Sequence, residues 1–295
     1  ETIPGSMAVI GSGAIGTELA YFYHSLGTKV TLIEYMDQLV PTEDADVAAQ
    51  LGRSFRKAGI QVMTSTAVES AEKFAKGCCL EVETKKGTER VEADVVLSAV
   101  GVVPNTSNMG LEEAGVGMVR GKIVVDKDFM TTVPGIYAAG DVLSTPALAH
   151  LATAEALCCV ERMAGLDVPD VDYGNIPGCI YATPEIASVG LREKEAKVKG
   201  IEVRIGKFPF TASGKAATVG EREGFVKLVF DAQDSRLLGA HIIGAHATEM
   251  IGGLVVSIGM KIKDIDLART VFPHPTMSEG IMEAAAIACG HCINI

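Results

Sequence analysis

The sequence predicts an α/β protein whose first part contains a parallel sheet and whose last part is an α+β domain. Roughly the first hundred residues alternate short β-rich runs with helical stretches, and a glycine-rich turn joins the first run to the first helical stretch. A segment rich in Pro, Asp and Gly marks a boundary over residues 165–178, and strand-like and helical runs follow it without regular alternation. Alternating strands and helices form parallel sheets with right-handed crossovers, whereas the later pattern is typical of an α+β domain.

The first five elements are predicted from their apolar patterns and flanking residues. Residues 7–10 form an apolar strand, a helical stretch runs from the glycines to about Leu26, and residues 29–34 form the second strand. Pro41 precedes a second helix, which ends with Arg56, Lys57 and Gly59, because cations favour the carboxyl end of a helix and Gly the position after it. Residues 60–63 form the third strand.

The later elements are predicted in the same way. Residues 80–84 and 91–100 are β-rich on either side of a Lys86-Gly87 turn, residues 122–141 contain short strands, and residues 147–163 form an apolar helix. Past the boundary, strands are predicted at 203–208, 225–230 and 238–243, and helices at 248–258 and 277–288.

Charge and cysteine usage exclude several classes of function. A formal net charge of −11 argues against nucleic-acid partners and against anionic membrane surfaces. No apolar run approaches the ~20 residues that span a bilayer. Seven Cys, an odd number, do not fit a secreted disulfide framework, so we expect free thiols in a reducing compartment: the cytoplasm or, in a eukaryote, the mitochondrial matrix.

The glycine-rich turn has the spacing of a dinucleotide-binding fingerprint. The six residues of its G-x-G-x-x-G motif are Gly11, Ser12, Gly13, Ala14, Ile15 and Gly16. In a Rossmann-like domain the first Gly makes the turn, the second admits a pyrophosphate, and the third packs helix against strand. Glu34 ends the second strand, where a carboxylate takes both ribose hydroxyls and repels a 2′-phosphate, so the prediction is NAD. The alternative is a glycine turn in another α/β protein, with Glu34 a solvated strand end.

A second motif resembles a known family. Residues 132–141 read Thr-Val-Pro-Gly-Ile-Tyr-Ala-Ala-Gly-Asp, which is similar to the second flavin-binding motif of the pyridine nucleotide–disulfide oxidoreductases. The resemblance implies that Asp141 holds the ribityl chain of FAD. It also implies that a helix N-terminus faces the flavin, here at Ala147, Leu148, Ala149 and His150. Taken alone, Asp141 would be an ordinary carboxylate at a strand end.

The resemblance also implies a domain order and further site residues. The expected domains are an NAD-binding domain at 1–105, the remainder of an FAD-binding domain at 106–170 and an interface or dimerisation domain at 171–295. Gly101 matches a family glycine beside the dinucleotide, Val68 an adenine neighbour, and Glu18 a glutamate near the nicotinamide. Family members begin with another FAD-binding strand and a C-x-x-x-x-C disulfide. No Cys pair here has that spacing, so we expect that the N-terminal third is missing and that FAD binds poorly.

A histidine and a glutamate near the end of the chain form a candidate acid–base pair. His274 is flanked by Pro273 and Pro275, and Glu279 follows in the first turn of a predicted helix that Ser278 or Thr276 caps. A carboxylate on one imidazole nitrogen raises the basicity of the other, which suits the formation of an attacking thiolate. The alternative is a surface His in a proline-rich turn.

The stretch H-P-T-x-S-E resembles the family's base motif. The resemblance implies that His274 is the base and Glu279 its orienting partner, that His274 serves the disulfide of the other subunit of a homodimer, and that the His274–Pro275 bond is cis. Residues 280–285 and 177–190 are most similar to the dihydrolipoyl (lipoamide) dehydrogenase branch.

That branch oxidises protein-bound dihydrolipoamide and passes electrons through a disulfide and FAD to NAD⁺. The implied partners are lipoyl domains of 2-oxo-acid dehydrogenase or glycine cleavage complexes. Two alternatives stay open: a catalytically inactive NAD-binding and dimerisation module, and a related NAD(P)-disulfide reductase.

The remaining Cys and His residues give weaker predictions. Cys289 and Cys292 form a C-x-x-C at the end of a helix, where the dipole disfavours a thiolate, and a second redox relay is a minor hypothesis. Cys158 and Cys159 lie on an apolar helix and are predicted to be buried thiols. The other His residues form no ligand set, so no metal site is predicted.

Overall fold

The computed structural model describes residues 2–294, which form two compact units. The first unit combines the residues up to Gly101 with those from Pro177 onwards, and the second is Val102–Ile176. The chain therefore leaves the first unit once and returns to it. The three domains expected from the sequence stay a prediction, but the first and last of them share one compact unit.

The first part of the larger unit contains a parallel sheet and an antiparallel meander. Strands β1, β2, β3 and β7 form the parallel sheet in the order β3-β2-β1-β7, and β4, β5 and β6 form the meander. The elements are β1 (Ser6–Ile10), α1 (Ala14–Ser25), β2 (Lys29–Ile33), α2 (Ala45–Ala58), β3 (Gln61–Met63), β4 (Ala67–Phe74), β5 (Gly77–Thr84), β6 (Gly87–Ala93) and β7 (Val95–Ser98). The predicted βαβαβ order and parallel sheet are confirmed.

The ends of α2 show why its sequence forms a helix there. The Asp44 carboxylate accepts a hydrogen bond from the Asp46 N–H, which caps the first turn. Gly59 follows the last turn with φ 103°, a left-handed conformation that favours glycine. Leu51 and Phe55 of this helix are buried against the sheet.

The predicted strand 91–100 is wrong as a single element. It is two strands, β6 and β7, which belong to different sheets. The chain changes sheets at Asp94, whose N–H donates to Ser6 Oγ and whose carboxylate accepts from the Ser6 N–H. An apolar run cannot reveal this change, because both halves are β-rich.

The smaller unit has little regular structure. It contains β8 (Met118–Val119), β9 (Lys122–Ile123) and α3 (Ala149–Met163). The short strands predicted over 122–141 reduce to β9 and isolated bridges, because glycines and turns interrupt the pairing. The buried thiols predicted for α3 are confirmed: Cys158 and Cys159 pack with Phe129 and Leu143.

The rest of the larger unit is a five-stranded antiparallel sheet covered by helices. The strand order is β10-β11-β14-β13-β12. The elements are β10 (Gly178–Ile180), β11 (Ile186–Gly190), α4 (Glu193–Val198), β12 (Val203–Pro209), α5 (Gly214–Val219), β13 (Phe225–Asp231), β14 (Leu237–Ile243), α6 (Ala247–Gly259), α7 (Asp264–Arg269) and α8 (Glu279–Cys289). The predicted α+β character is confirmed, although the short helices α4, α5 and α7 were not predicted.

The two parts of the larger unit share a hydrophobic core. Ile186, Phe225 and Ile243 of the five-stranded sheet belong to the same buried cluster as Leu51 and Phe55 of α2. On the other side of the sheet, α6 and α8 cover a second core. A Cβ at Gly206 would lie 1.8 Å from the Ala284 carbonyl oxygen, so glycine is what lets α8 approach β12.

Candidate functional site

The glycine-rich turn lies at the carboxyl edge of the parallel sheet, between β1 and α1. Gly11 has φ 93°, and a Cβ there would lie 2.5 Å from the Ala99 carbonyl oxygen of the strand end beside it. A Cβ on Gly16 would lie 1.9 Å from the Gly11 carbonyl oxygen. Gly11 and Gly16 are therefore required by the fold itself, in agreement with the tight turn and close packing expected for them.

Gly13 differs from these two glycines. A Cβ at Gly13 would have no heavy atom within 4 Å, so no packing in the described chain requires glycine there. Gly13 is the N-cap of α1, no side chain caps the helix, and its first turn contains no acidic residue. Ala14 and Ile15 are exposed beside it. An open, uncapped helix N-terminus is suited to an anion such as a phosphate.

The Glu34 carboxylate is buried and held by three donors. Its Oε2 accepts the Ser12 N–H at 2.8 Å and the Ser12 hydroxyl at 2.7 Å, and its Oε1 accepts the Met36 N–H at 2.8 Å. The alternative of a solvated strand end is therefore wrong. The contact to Ser12 places the carboxylate directly beside the glycine-rich turn.

Three residues that the family resemblance assigns to the nucleotide site lie around this edge of the sheet. Gly101, with φ 134°, is exposed and follows β7. Val68 is in β4, and two residues before it the Thr66 N–H donates to the Glu34 carbonyl. Glu18 is half-buried on α1, and its Oε1 accepts the Tyr181 N–H at 2.9 Å, which ties α1 to the segment that follows β10. Their contact with a nucleotide stays a prediction.

The flavin motif lies in the smaller unit. Gly140 turns the chain with φ 81°, and Asp141 after it is exposed. The expected helix begins later than predicted: Leu148 is the N-cap of α3, so Ala147 precedes the helix and only Ala149 and His150 lie in its first turn. No side chain caps this helix, so its N-terminus, like that of α1, is suited to an anion.

Glu155 holds the turn of this unit through a contact that the sequence did not reveal. Its side chain is on α3 and is 0% exposed. One oxygen accepts the Gly140 N–H at 2.7 Å, and the other accepts the Tyr173 hydroxyl at 3.1 Å. Burial and the contact to Glu155 raise the pKa of Tyr173 to about 12, so the phenol stays a donor. Glu155 thus fixes the turn that presents Asp141. The sequence gives no specific signal for it, because α3 also contains the charged residues Glu161 and Arg162.

The histidine–glutamate pair is formed within this chain. His274 Nδ1 lies 2.8 Å from Glu279 Oε1, and Glu279 Oε2 accepts the Thr276 N–H at 2.8 Å. Partial burial opposes ionisation, but the Thr276 N–H and His274 outweigh it and lower the pKa of Glu279. Because an ionised carboxylate only accepts, the neutral imidazole carries its proton on Nδ1 and keeps a lone pair on Nε2.

The surroundings of this pair agree with most of the expectations. His274 is 78% exposed, so its free nitrogen is accessible. The His274–Pro275 bond is cis, as the resemblance implied. The predicted side-chain cap is wrong: Ser278 is the N-cap of α8 but its hydroxyl makes no capping bond, and the Thr276 hydroxyl donates to the Pro273 carbonyl. Glu279, in the first turn of α8, accepts the backbone N–H of Thr276, which lies ahead of the helix.

The C-x-x-C pair lies in an environment that disfavours thiolates. Burial and the nearby Asp264 raise the pKa of Cys289. Burial, opposed by the Asn294 backbone and reinforced by Glu283, raises the pKa of Cys292, whose thiol donates to Glu283 Oε2 at 3.5 Å. The relay hypothesis gains no support from these contacts, because a relay needs a thiolate.

The described residues contain neither a metal-ligating cluster nor a membrane-spanning helix. Among residues 2–294 there is no group of three or more His, Cys, Asp or Glu side chains arranged to hold a metal ion. No helix within the same range is both long and apolar enough to cross a bilayer.

Comparison with known proteins identifies the family. The family model described as pyridine nucleotide-disulphide oxidoreductase matches residues 1–156, and the model of that family's dimerisation domain matches residues 176–285. The chain belongs to the pyridine nucleotide-disulphide oxidoreductase family. This membership confirms the resemblance seen in the sequence and the expected order of nucleotide-binding and dimerisation parts.

Individual relatives cover the whole chain. It is 45% identical to a dihydrolipoyl dehydrogenase of Rhizobium etli over 100% of its own length and 62% of that protein. Among solved structures, LpdA from Mycobacterium tuberculosis superposes with a TM-score of 0.88 at 30% identity, covering 97% of this chain and 62% of LpdA. The HOCl-induced flavoprotein disulfide reductase RclA from Escherichia coli gives 0.89 at 26% identity, covering 97% and 65%. The chain thus spans about three fifths of the length of these family members.

Proposed function

We propose that this chain is the NAD-binding and dimer-forming part of a dihydrolipoyl dehydrogenase, an enzyme that oxidises protein-bound dihydrolipoamide with NAD⁺. The observation that carries the proposal is the exposed His274 imidazole, whose Nδ1 is held by Glu279 at 2.8 Å, in a chain that also has a dinucleotide-type turn. The 45% identity to the Rhizobium etli dihydrolipoyl dehydrogenase supports this branch over the rest of the family.

The residues at the sheet edge fit NAD. The open space at Gly13 and the uncapped N-terminus of α1 are suited to the pyrophosphate, and Gly101 lies at the neighbouring strand end. The buried Glu34 carboxylate is an acceptor for a ribose hydroxyl and repels a 2′-phosphate. These residues bind and orient the dinucleotide, with Val68 on its adenine side and Glu18 on its nicotinamide side.

The smaller unit fits part of an FAD site. Asp141 is an exposed acceptor for hydroxyl groups of the ribityl chain, and the uncapped N-terminus of α3 stabilises negative charge beside it. When bound, FAD supplies two-electron redox chemistry between a thiol pair and NAD⁺. Glu155 holds the Gly140 turn in place, so it orients Asp141 without touching the cofactor itself.

His274 is the base of the proposed reaction. Its Nε2 accepts a proton from the dithiol, so that the thiolate forms, and Glu279 stabilises the resulting imidazolium. A His–carboxylate pair of this kind contributes about 10²–10⁴-fold in rate. The dimerisation domain supports a homodimer, in which His274 serves the disulfide of the partner subunit. The partners are lipoyl domains of 2-oxo-acid dehydrogenase or glycine cleavage complexes, in a reducing compartment.

A second candidate is favoured by one observation. No two Cys in the chain have the C-x-x-x-x-C spacing of a redox disulfide. The chain by itself is then an NAD-binding and dimerisation module without turnover. A colourless dimer that binds NADH supports the module, whereas a yellow preparation that reduces NAD⁺ with dihydrolipoamide contradicts it.

The test of the proposed function compares purified wild-type protein with His274→Gln. In the enzyme that contains this chain together with the redox disulfide, dihydrolipoamide-dependent NAD⁺ reduction is expected to fall about 10²–10⁴-fold in the variant. NADH binding, measured by fluorescence titration, should be unchanged by the substitution because His274 lies outside the nucleotide turn. Equal turnover in the two proteins would exclude His274 as the base, and a wild-type protein that binds no NADH would exclude the nucleotide site.

A further inference from the structure

The loop between β2 and α2 is held by a residue of the dimerisation part of the chain. Arg192, the N-cap of α4, donates through Nη1 to the Thr42 carbonyl at 2.8 Å and to the Pro41 carbonyl at 3.2 Å. Its Nη2 donates to Glu195 Oε1 at 2.6 Å, which fixes the guanidinium. A planar guanidinium fixed in this way constrains both loop carbonyls at once.

The loop in turn holds Ser12. The Val40 N–H donates to the Ser12 hydroxyl oxygen at 3.1 Å and also to the Ser12 carbonyl at 3.2 Å. The Ser12 hydroxyl donates onward to Glu34 Oε2 at 2.7 Å. A continuous set of contacts therefore leads from Arg192 through the loop and Ser12 to the carboxylate of the nucleotide site.

A buried cation anchors the far end of the loop. The Lys227 side chain, 3% exposed on β13, lies with its Nζ 2.9 Å from Asp44 Oδ1 and 2.8 Å from Glu193 Oε2. Although burial opposes it, the carboxylates of Glu193 and Asp44 raise the pKa of Lys227, so the anchor is charged at every physiological pH. Asp44 is the N-cap of α2, so the loop is fixed where the helix begins.

These contacts limit what Glu34 can bind. A carboxylate has about four lone-pair positions, and the Ser12 N–H, the Ser12 hydroxyl and the Met36 N–H occupy three of them. One position on Oε1 is left, which fits a single ribose hydroxyl rather than the pair expected from the sequence. A carboxylate held by three donors also cannot rotate away from an incoming phosphate.

We propose that Ser12 and Arg192 are positioning residues that fix the Glu34 carboxylate and thereby set the preference for a ribose 2′-hydroxyl over a 2′-phosphate. The inference rests on the proposed NAD site. It adds that the dinucleotide preference depends on a contact from the dimerisation part, which is remote in sequence from the glycine-rich turn. Both residues act through Glu34 in this proposal.

The experiment measures dissociation constants of NADH and NADPH for the chain by fluorescence titration. In Ser12→Ala the ratio of the NADPH constant to the NADH constant is expected to fall about tenfold, the effect of one hydrogen bond to a charged acceptor. The variant should fold, because the Val40 N–H keeps the Ser12 carbonyl. In Arg192→Ala the ratio should fall about threefold, and Arg192→Lys should restore part of it.

The matched control is Lys194→Ala, two residues along on α4 and exposed, for which the ratio should equal that of the wild type. Variants that bind both nucleotides more weakly by the same factor would show a purely structural role. That result would overturn this inference but leave the proposed NAD site standing. A wild-type chain that binds neither nucleotide would overturn the proposed NAD site, and the inference with it.

Discussion

Two glycines of the same turn should respond to alanine in opposite ways. A Cβ at position 16 would lie 1.9 Å from the Gly11 carbonyl oxygen and 3.3 Å from the Ala99 Cβ, whereas a Cβ at position 13 meets nothing within 4 Å. Carbon atoms pack at about 3.5–4.0 Å, so the turn must open by more than about 1 Å to admit Gly16→Ala. Gly13 has φ −62°, which alanine adopts freely.

The expected magnitudes follow from these contacts. Overpacking of this kind costs about 1–3 kcal/mol, and the backbone clash at Gly16 places Gly16→Ala at the upper end. About 3 kcal/mol corresponds to a fall in Tm of about 6–12 °C for a domain of roughly this size. Gly13→Ala should leave Tm unchanged, because its methyl group enters open space. That space is where the proposed pyrophosphate approaches the backbone, so NADH affinity should fall about tenfold or more.

The assay is a thermal melt followed by circular dichroism, paired with an NADH fluorescence titration on the same samples. We expect lost stability in Gly16→Ala, and lost NADH affinity at full stability in Gly13→Ala. If both variants melt at the wild-type temperature, the close approach at Gly16 is wrong. If Gly13→Ala binds NADH as the wild type does, the pyrophosphate does not lie at this turn.

Three further outcomes are expected. The folded-state pKa of Glu279 is lowered, so the ionised carboxylate contributes its full stabilisation at neutral pH and loses it as the pH falls below about 4. The melting temperatures of wild type and Glu279→Gln should therefore differ at about pH 7 and converge near pH 3. Tyr173→Phe leaves one oxygen of the buried Glu155 without its donor, so urea unfolding should show a loss of about 1 kcal/mol, and equal midpoints and slopes would contradict this. Lys227→Met should lower the free energy of unfolding by about 3–5 kcal/mol, because it leaves a buried carboxylate without its partner. At the half-exposed Lys207, the same substitution should lower it by only about 0–1 kcal/mol. Similar losses in the two variants would argue against the burial of Lys227.

The nucleotide-binding part could be predicted from the sequence because its signals are local. The strand before Gly11, the glycine spacing and the closing signals of α2 at Arg56 and Gly59 each fall within a few residues of the feature they determine. The His274–Glu279 contact was predictable for the same reason, since the two residues are five positions apart and a helix start brings them together.

The interactions that were missed join residues distant in sequence. Glu155 bonds to Gly140 and Tyr173, which are 15 and 18 positions away, and Arg192 bonds to Thr42 across 150 positions. No periodicity or motif encodes such a pair, because it depends on how finished elements pack. The change of sheet at Asp94 has the same origin: it is decided by a contact to Ser6, not by the β-propensity of the run.

A row of polar side chains explains why the nucleotide-binding part meets the five-stranded sheet in one orientation. Four polar residues pair directly with one another across neighbouring strands, and cross-strand neighbours lie on the same face of the sheet. They are Ser188 of β11, His241 of β14, Lys227 of β13 and Lys207 of β12. Burial lowers the pKa of His241, so this residue stays neutral and the row is cationic only on β13 and β12.

The acidic residues at the start of α2 match that distribution of charge. Lys227 contacts Asp44 and Asp46, and Lys207 contacts Asp46. The shared apolar core stabilises the contact between α2 and the sheet but does not determine their relative orientation, because the burial of apolar area favours no particular orientation. A slip of β13 by one residue in its pairing would turn Lys227 to the opposite face of the sheet and strand the buried carboxylate of Asp44, at a cost of several kcal/mol. The ion pairs therefore fix the position of the sheet against α2 in which Arg192 reaches the Thr42 carbonyl. The hydrogen bonds that hold the Glu34 carboxylate depend on that position.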